Sequence, residues 1–192
     1  MWRVYPLAVS RDAIHFQRVG DRRPFLRLGR EGAFDSRWVW PMVKPVPMGD
    51  ELWIYYVGTN TDHSMRRDPK AAESRTAISR SILRLDGFIS ADAGYGGAWL
   101  LTPPLTFQGS RLELNLDTGA GGWAQVEILD AGGKPIPGFG MAQADPINAN
   151  SVRFPVTWQG RGDVSALAGR PVRLRIQARA CKLYAFQFRG GE

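Results

Sequence analysis

The stretch VRLRIQARACKLYAFQF, residues 172–188, decides the fold. Its apolar residues recur mostly at alternate positions: Val172, Leu174, Ile176, Leu183, Phe186 and Phe188. Alternation with a period of two places one set of side chains on a single face of a β-strand. The stretch therefore predicts two strands, at 172–178 and 182–189, each with one buried face.

The same pattern occurs upstream, in strands predicted at 111–116 and 123–129. Their alternating apolar residues are Leu112, Leu114, Leu116, Val126 and Ile128. Antiparallel sheets that bury one face produce this pattern. Residues 96–192 are therefore predicted to form an antiparallel β-sandwich of the jelly-roll type.

Strand signals separated by Gly, Pro, Asn and Asp clusters also fill the first half of the chain. The remaining predicted strands are 5–9, 15–19, 37–46, 51–58, 76–85, 87–90, 99–101 and 152–157. The one candidate helix, DPKAAESRTA at 68–77, is short and interrupted by Ser and Thr. The glycine-rich ADAGYGGA, 91–98, is the best linker, so a first domain is predicted at 1–95. The predicted fold class is all-β.

Composition excludes several classes of protein. The formal net charge is +7, carried mainly by scattered arginines that form no basic stripe, so nucleic acid is not an expected partner. The single Cys181 excludes an internal disulfide, and no Cys/His cluster has zinc spacing, so neither a metal nor another cofactor is expected. No signal peptide or membrane-spanning segment is visible. The localisation is therefore open, and cytoplasmic if Met1 is the natural start.

One loop concentrates charge, in ELWIYYVGTNTDHSMRRDPK at 51–70. Directly after the strand predicted at 51–58 it carries Asp62, His63, Arg66, Arg67 and Asp68. A loop that only reverses the chain needs neither two carboxylates nor one of the two histidines. We therefore treat this loop as the candidate functional site.

Three stretches resemble parts of known carbohydrate-active enzymes. LAVSRDAIHFQRV, 7–19, resembles the hairpin of a β-propeller blade, in which Ser10 and Asp12 would tighten the turn and Phe16 would fill the blade core. RWVWPMVKPVPMGDELWIYYVGTN, 37–60, with TAISRSILRLDGFISAD, 76–92, resembles the next complete blade of a five-bladed propeller glycosidase of the fructosidase and arabinanase type. The remainder, WQGRGDVSALAGRPVRLRIQARACKLYAFQF at 158–188 above all, is similar to the β-sandwich that follows such propellers.

The resemblance implies that residues 1–95 are a partial propeller, with one blade and part of another. A complete propeller of this type has five blades, and its nucleophile and general acid come from different blades. The chain is therefore either an independent module or assembles with a second chain. An open blade edge favours a homo-oligomer or a partner chain that pairs with it.

Blade geometry gathers the candidate residues at one end of the sheet. Asp35 precedes the innermost strand, and the loop after Gly58 returns to the same edge. The expected face combines Asp35, Asp62, His63, Arg66, Arg67, Asp68 and Glu73. Trp38, Trp40 and Tyr56 lie nearby, where aromatic rings can stack on sugars.

Glycoside hydrolysis requires two carboxyl groups, roughly 5 Å apart for retention and about 6.5–9.5 Å apart for inversion. The candidate pair is Asp35 with Asp62 or Asp68, while Arg66 or Arg67 keeps one carboxylate ionised. RRDP, 66–69, also resembles the Arg-Asp-Pro signature of fructosidase-type propellers, but there the motif opens an innermost strand. In this chain it follows a second strand, so the match carries no role for Asp68.

Structural alternatives exist for each of these residues. Asp35 could instead cap a turn by accepting hydrogen bonds from backbone N–H groups, and the charged residues of the 59–73 loop could pair with one another in solvent.

Residues outside the candidate site also have structural interpretations. His15 could have a structural role in its hairpin, and Cys181 could be a buried thiol. Trp53, Trp99, Trp123 and Trp158 fit core positions. The loop at 131–151 could bind a glycan or calcium. Asp145 and Asn148 could supply oxygen ligands, but their spacing is not that of a known calcium-binding loop.

The sequence thus predicts a protein that hydrolyses or binds an oligo- or polysaccharide. The alternative is a non-catalytic module that binds glycans or completes its blade edge with a partner chain. An enzyme needs Asp35 and a loop carboxylate together over a cleft, whereas a binding module needs only aromatic rings and hydrogen-bonding groups.

Overall fold

The structure, a computed structural model, describes residues 5–42 and 44–190. The prediction of an all-β chain is confirmed: antiparallel strands dominate, and the described helical segments are two 3-10 turns, Gly20–Arg22 and Ser165–Leu167. Two compact units are present, the first ending at Ile89 and the second beginning at Ser90. The stretch expected to be a linker, 91–98, supplies strand residues to the second unit.

The first unit is built around one antiparallel sheet. Its described strands are β1 (Tyr5–Pro6), β2 (Ala8–Val9), β3 (Gln17–Arg18), β4 (Pro24–Leu26), β5 (Trp38–Pro41), β6 (Val46–Met48), β7 (Glu51–Thr59) and β8 (Thr76–Arg84). In the main sheet, β7 is central, with β8 along one side and β5 and β6 along the other. The pairs β1–β4 and β2–β3 form two small ladders that precede it in the chain.

The strand predicted at 37–46 is divided into β5 and β6. β5 pairs with the C-terminal part of β7 and β6 with its N-terminal part. Pro41 and Pro45 lie at this division, and proline cannot donate a ladder hydrogen bond. Val43, within the same predicted strand, lies outside the described residues.

The two faces of the main sheet differ in burial. Val39 and Tyr56 are buried on one face, where they pack with Leu26 and Phe34. The opposite face carries Trp40, Ile78 and Ile82, which are 61%, 67% and 50% exposed. Strand residues alternate between the two faces of a sheet, and here both faces carry apolar side chains. Exposed apolar faces of this kind occur at interaction sites.

The second unit consists of two antiparallel sheets. Its described strands are β9 (Ala91–Ala93), β10 (Ala98–Leu101), β11 (Arg111–Asp117), β12 (Trp123–Asp130), β13 (Asn150–Pro155), β14 (Val172–Arg179) and β15 (Cys181–Arg189). One sheet has the order β13-β11-β15-β9 and the other has the order β10-β14-β12.

Both sheets contribute to one hydrophobic core. Eight of the residues that alternate in the sequence are among its most buried members, at most 2% exposed: Leu112, Leu114, Leu116, Val126, Ile128, Val172, Leu174 and Ile176. Trp158 joins them at 2% exposure, as predicted. Trp99, also expected in the core, is 69% exposed because it lies on the outer side of edge strand β10. Trp53 and Trp123 are half-buried.

A β-bulge explains why the apolar residues of β15 change phase. Asn115 pairs with Ala185, but the next residue, Leu116, pairs with Leu183. Tyr184 is therefore the extra residue on the bulged strand. The bulge places Leu183 and Phe186 on the same side although they are three positions apart in the chain, and both pack against the core.

Three local predictions are wrong. Residues 87–90 form no strand, because the chain reverses tightly where Gly87 N–H donates to Arg84 C=O. Residues 68–75 form turns and bends rather than a helix, and residues 76–77 begin β8. Phe16 is exposed rather than packed in a blade core, because β3 pairs with β2 alone among the described strands.

Candidate functional site

A depression of about 330 Å³ lies at the end of the first unit's main sheet. β5 begins and β7 ends at this edge, and Arg37 N–H donates to Thr59 C=O there. The lining residues are Trp38, Thr59, Thr61, Asp62, His63, Met65, Ser74, Arg75 and Thr76. We call this feature the Trp38 depression.

Asn60 holds the loop that forms this depression. Its buried side-chain amide donates to the Glu73 C=O at 2.8 Å, and its side-chain oxygen accepts from the Arg75 N–H at 2.8 Å. The Asp68 N–H donates to the Asn60 C=O at 2.7 Å. Asn60 thus joins the start of the loop to its end, and these bonds hold in place the lining residues that lie between them.

Asp62 organises the exposed turn within the loop. One of its oxygens accepts from the Ser64 and Arg66 N–H groups, each at 2.9 Å, and the other lies 3.4 Å from the Arg66 guanidinium. The Arg66 N–H, together with that of Ser64, holds the pKa of Asp62 below its ordinary value. Asp62 is therefore an ionised hydrogen-bond acceptor at neutral pH.

The aromatic residues at the depression form an ordered series. The Trp38 and Trp40 rings are stacked, with centroids 5.5 Å apart and planes within 5° of each other. The exposed His63 ring meets Trp38 edge-on at 6.3 Å. Because Trp38 supports Trp40 from one side, the large exposed indole of Trp40 is held in a fixed plane.

Asp68 is buried at 1% exposure and joins the loop to the segment that precedes β5. Its carboxylate accepts from the Gly32 and Lys70 N–H groups at 2.9 and 3.0 Å, and the Arg37 guanidinium lies 3.4 Å away. The Ser36 hydroxyl and these two backbone N–H groups hold the pKa of Asp68 well below its ordinary value. Asp68 is thus engaged in internal bonds.

Asp35 is also buried, beneath the sheet end. Its carboxylate accepts a 2.8 Å hydrogen bond from the Tyr56 hydroxyl. Burial raises the pKa of Tyr56, and the bond to Asp35 adds to this shift. A side chain at Gly29 or Gly58 would collide with Asp35, which shows how closely the backbone surrounds this carboxylate.

The predicted site residues therefore fall into separate groups. Trp38, Asp62 and His63 line the depression, and Trp40 extends it along the sheet face. Asp35, Tyr56 and Asp68 do not line it. Arg67 donates to the Ala72 C=O and Glu73 contributes its backbone C=O to Asn60, so both support the loop.

Sequence reasoning missed several lining residues. Thr59 and Thr76 face each other across β7 and β8, with their hydroxyl oxygens 3.0 Å apart, and Arg75 stands beside them. The signal that points to them is the strand register, which pairs the last residue of β7 with the first of β8. Turn composition alone does not reveal that pairing.

The remaining candidates have structural surroundings. His15 Nδ1 lies 2.6 Å from Asp12, which also accepts from the Ser10 hydroxyl and so tightens the hairpin turn. Asp145 accepts from Thr157 and Gly160, and the Asn148 amide donates to backbone carbonyls. Burial raises the pKa of the Cys181 thiol to about 11.

Metal and membrane features can be stated for the described part of the chain. In residues 5–42 and 44–190, no group of three or more His, Cys, Asp or Glu side chains is placed to hold a metal ion. None of the helical segments described in the structure has the length and apolar character needed to cross a lipid bilayer.

No protein-family model, curated protein or solved structure matches the chain.

Proposed function

We propose that the protein binds carbohydrate through the Trp38 depression and the neighbouring Trp40 ring. In this proposal the first unit is a partial β-propeller, with one blade and part of another, and the second unit is a jelly-roll-like β-sandwich. This assignment is supported by the pairing of β7 with β5 and β6 along one edge and with β8 along the other, and by the two sheets of the second unit that share one core.

The observation that carries the proposal is the Trp38–Trp40 stack. Trp40 is 61% exposed, although burial of an indole is strongly favourable. Its plane is fixed by Trp38, so a ligand ring that stacks on it does not have to order the side chain. Pyranose rings present flat C–H faces, which makes a fixed, exposed indole a suitable contact for them.

Polar groups suited to sugar hydroxyls stand next to this ring. Asp62 offers an ionised acceptor, His63 a ring nitrogen, and Thr59 and Thr76 offer hydroxyls. A site with one flat apolar surface and several donors and acceptors fixes both the plane and the orientation of a small polar ligand.

Binding is favoured over hydrolysis by the surroundings of the carboxylates. Hydrolysis requires two carboxyl groups on either side of one bond. Among the described residues that line the depression, Asp62 is the only carboxylate, and internal hydrogen bonds engage Asp35 and Asp68. The proposal therefore assigns Asp62 a binding role.

The test measures binding of the full chain to a panel of neutral plant and bacterial oligosaccharides by isothermal titration calorimetry. We expect Trp40→Ala to weaken binding at least about tenfold, because the stacking surface is lost. Trp40→Phe should recover part of this loss. The matched control is Tyr95→Ala, which removes an exposed aromatic ring from the second unit outside this site and should leave this binding unchanged.

The same panel distinguishes binding from catalysis. If reducing ends are released and the release disappears in Asp62→Asn or Asp35→Asn, the protein is a glycosidase rather than a binding module. If no neutral glycan binds, or if Trp40→Ala binds as well as the wild type, the proposed function is wrong.

A second candidate function, self-association through β8, is favoured by the exposed edge of the same sheet. β8 pairs only with β7 among the described strands, and open edges readily pair with another strand. Val46, Met48, Ile78 and Ile82 lie on one face of this sheet and are 41%, 46%, 67% and 50% exposed, and exposed apolar clusters of this kind occur at interaction sites. Arg80 lies on the Trp53 ring, 3.7 Å from its centroid.

A two-fold pairing of β8 around Arg80 would place Ile78 of one copy opposite Ile82 of the other. We expect light scattering after gel filtration to give twice the monomer mass of 21.3 kDa. The double variant Ile78→Lys, Ile82→Lys should give the monomer mass. A monomeric wild type would contradict this candidate function without affecting the glycan proposal.

A further inference from the structure

The second unit contains a groove that is separate from the Trp38 depression. The groove lies on the outer side of the β10-β14-β12 sheet and has a volume of about 360 Å³. Trp99 and Leu101 of β10 form one wall, and Gly133 and Met141, from the loop that follows β12, form the other. Arg175 and Gln177 of β14 line the surface between these walls. We call this feature the Trp99 groove.

Strand register explains why these side chains converge. Trp99 pairs with Gln177, and Leu101 pairs with Arg175. Paired residues point to the same side of a sheet, and here that side is opposite to the core face of Leu174 and Ile176. The exposed indole therefore stands directly beside a side-chain amide and a guanidinium.

The surface between the walls is held in place by a buried acid. Glu127 is 1% exposed and forms an ion pair with Arg175, while its second oxygen accepts from the Met141 N–H at 3.2 Å. The Arg175 side chain remains 44% exposed. Glu127 thus holds both Arg175 and the wall that contains Met141, while part of the Arg175 guanidinium stays open to the groove.

Charge on this side of the sheet is predominantly positive. β14 directs Arg173, Arg175 and Arg179 outward at alternate positions, on the same side as Gln177. Glu127 neutralises Arg175 alone. Arg175 and Arg179 lie on either side of Gln177, each about 7 Å along the strand. A ligand above Trp99 and Gln177 therefore lies between Arg175, whose charge Glu127 balances, and Arg179, which supplies the positive charge next to the groove.

We propose that the Trp99 groove binds an acidic saccharide that carries uronate groups. The sugar ring stacks on Trp99, Gln177 bonds its hydroxyls, and Arg179 receives the carboxylate. Arginine suits this task because its planar guanidinium matches a carboxylate with two hydrogen bonds. The inference rests on the groove alone and does not depend on glycan binding at the Trp38 depression.

The test titrates the full chain with tetragalacturonate and with its methyl ester, which has the same rings without the charges. We expect the acid to bind at least about tenfold more tightly than the ester, and added salt to weaken its binding. Trp99→Ala should weaken binding of the acid at least about tenfold, and Trp99→Phe should weaken it less. Arg179→Gln should reduce the preference for the acid over the ester.

Phe16→Ala serves as the matched control, because it removes an exposed aromatic ring that lines neither proposed site and should leave tetragalacturonate binding unchanged. Trp99 is exposed, so the melting temperature of Trp99→Ala should equal that of the wild type. The inference is overturned if neither ligand binds, if ester and acid bind equally, or if Trp99→Ala retains full affinity. Loss of acid binding in Trp40→Ala alone would assign that ligand to the first unit and overturn it as well.

Discussion

Replacing Gly122 by alanine is expected to cost the second unit more than about 4 kcal/mol of stability. A Cβ at this position would lie 2.0 Å from the Thr118 carbonyl oxygen, 2.3 Å from that of Ala180 and 2.7 Å from that of Arg179. All three are backbone atoms, so no side-chain rotation relieves the collision. The start of β12 would have to separate from the turn between β14 and β15.

The neighbouring Gly121 provides a matched control, because a Cβ there meets nothing within 4 Å. Gly121→Ala should change stability by less than about 0.5 kcal/mol. Urea unfolding combined with hydrogen exchange on β12 and β14 measures both variants and separates the second unit from the first. Equal stability of the two variants would contradict the expected collision.

The contacts around Gly122 also include a hydrogen bond between two loops that sequence patterns do not predict. From the sequence alone, the side-chain oxygen of Asn148 was considered as a ligand for calcium. In the structure its side-chain N–H donates a hydrogen bond to the Gly122 C=O at 2.6 Å. The two residues belong to different loops, and no periodic pattern relates them. Long-range polar contacts of this kind depend on where each loop lies in the fold, which local sequence does not determine.

The core, in contrast, was predictable from the sequence. Alternation at Leu112 and Leu174 specified which face is buried, because a period of two determines the side to which each residue points. The same reasoning failed for Trp99, since its strand lies at a sheet edge and a hydrophobic pattern does not state which strands are edges. Burial of an aromatic residue depends on neighbours that only the topology supplies.

The candidate site was predictable in part for a similar reason. Antiparallel pairing implies that the chain before β5 and the chain after β7 lie at the same sheet end, so the two loops could be placed together. The role of each carboxylate could not be derived, because it depends on backbone N–H groups that turn toward it. Asp68 accepts from Gly32, which is distant in sequence and carries no side chain that would signal the contact.

Asp68→Asn is expected to lower the melting temperature of the first unit by roughly 5–10 °C at pH 7. The carboxylate accepts from Gly32, Lys70 and Arg37, and an amide would present N–H to at least one of these donors. The loss should spread to the Trp38 depression, because Asp68 joins the two segments that support it. Glu31→Gln, which removes an exposed ion pair with Lys70 from the same region, should have little effect.

Acid should narrow the difference in stability between the wild type and Asp68→Asn. The folded-state pKa of Asp68 is lowered, so its carboxylate stabilises the fold above the unfolded-state pKa of about 4. That contribution falls as the pH decreases from about 4 toward the folded-state value, because the unfolded chain then binds a proton that the folded chain does not. Melting curves between pH 7 and pH 3, with hydrogen exchange on β7 and β8 to report on the first unit, should therefore show a gap that is constant above about pH 5 and narrows as the pH falls below about 4. A gap that stays constant over this range would show that the carboxylate charge is not what holds the two loops together.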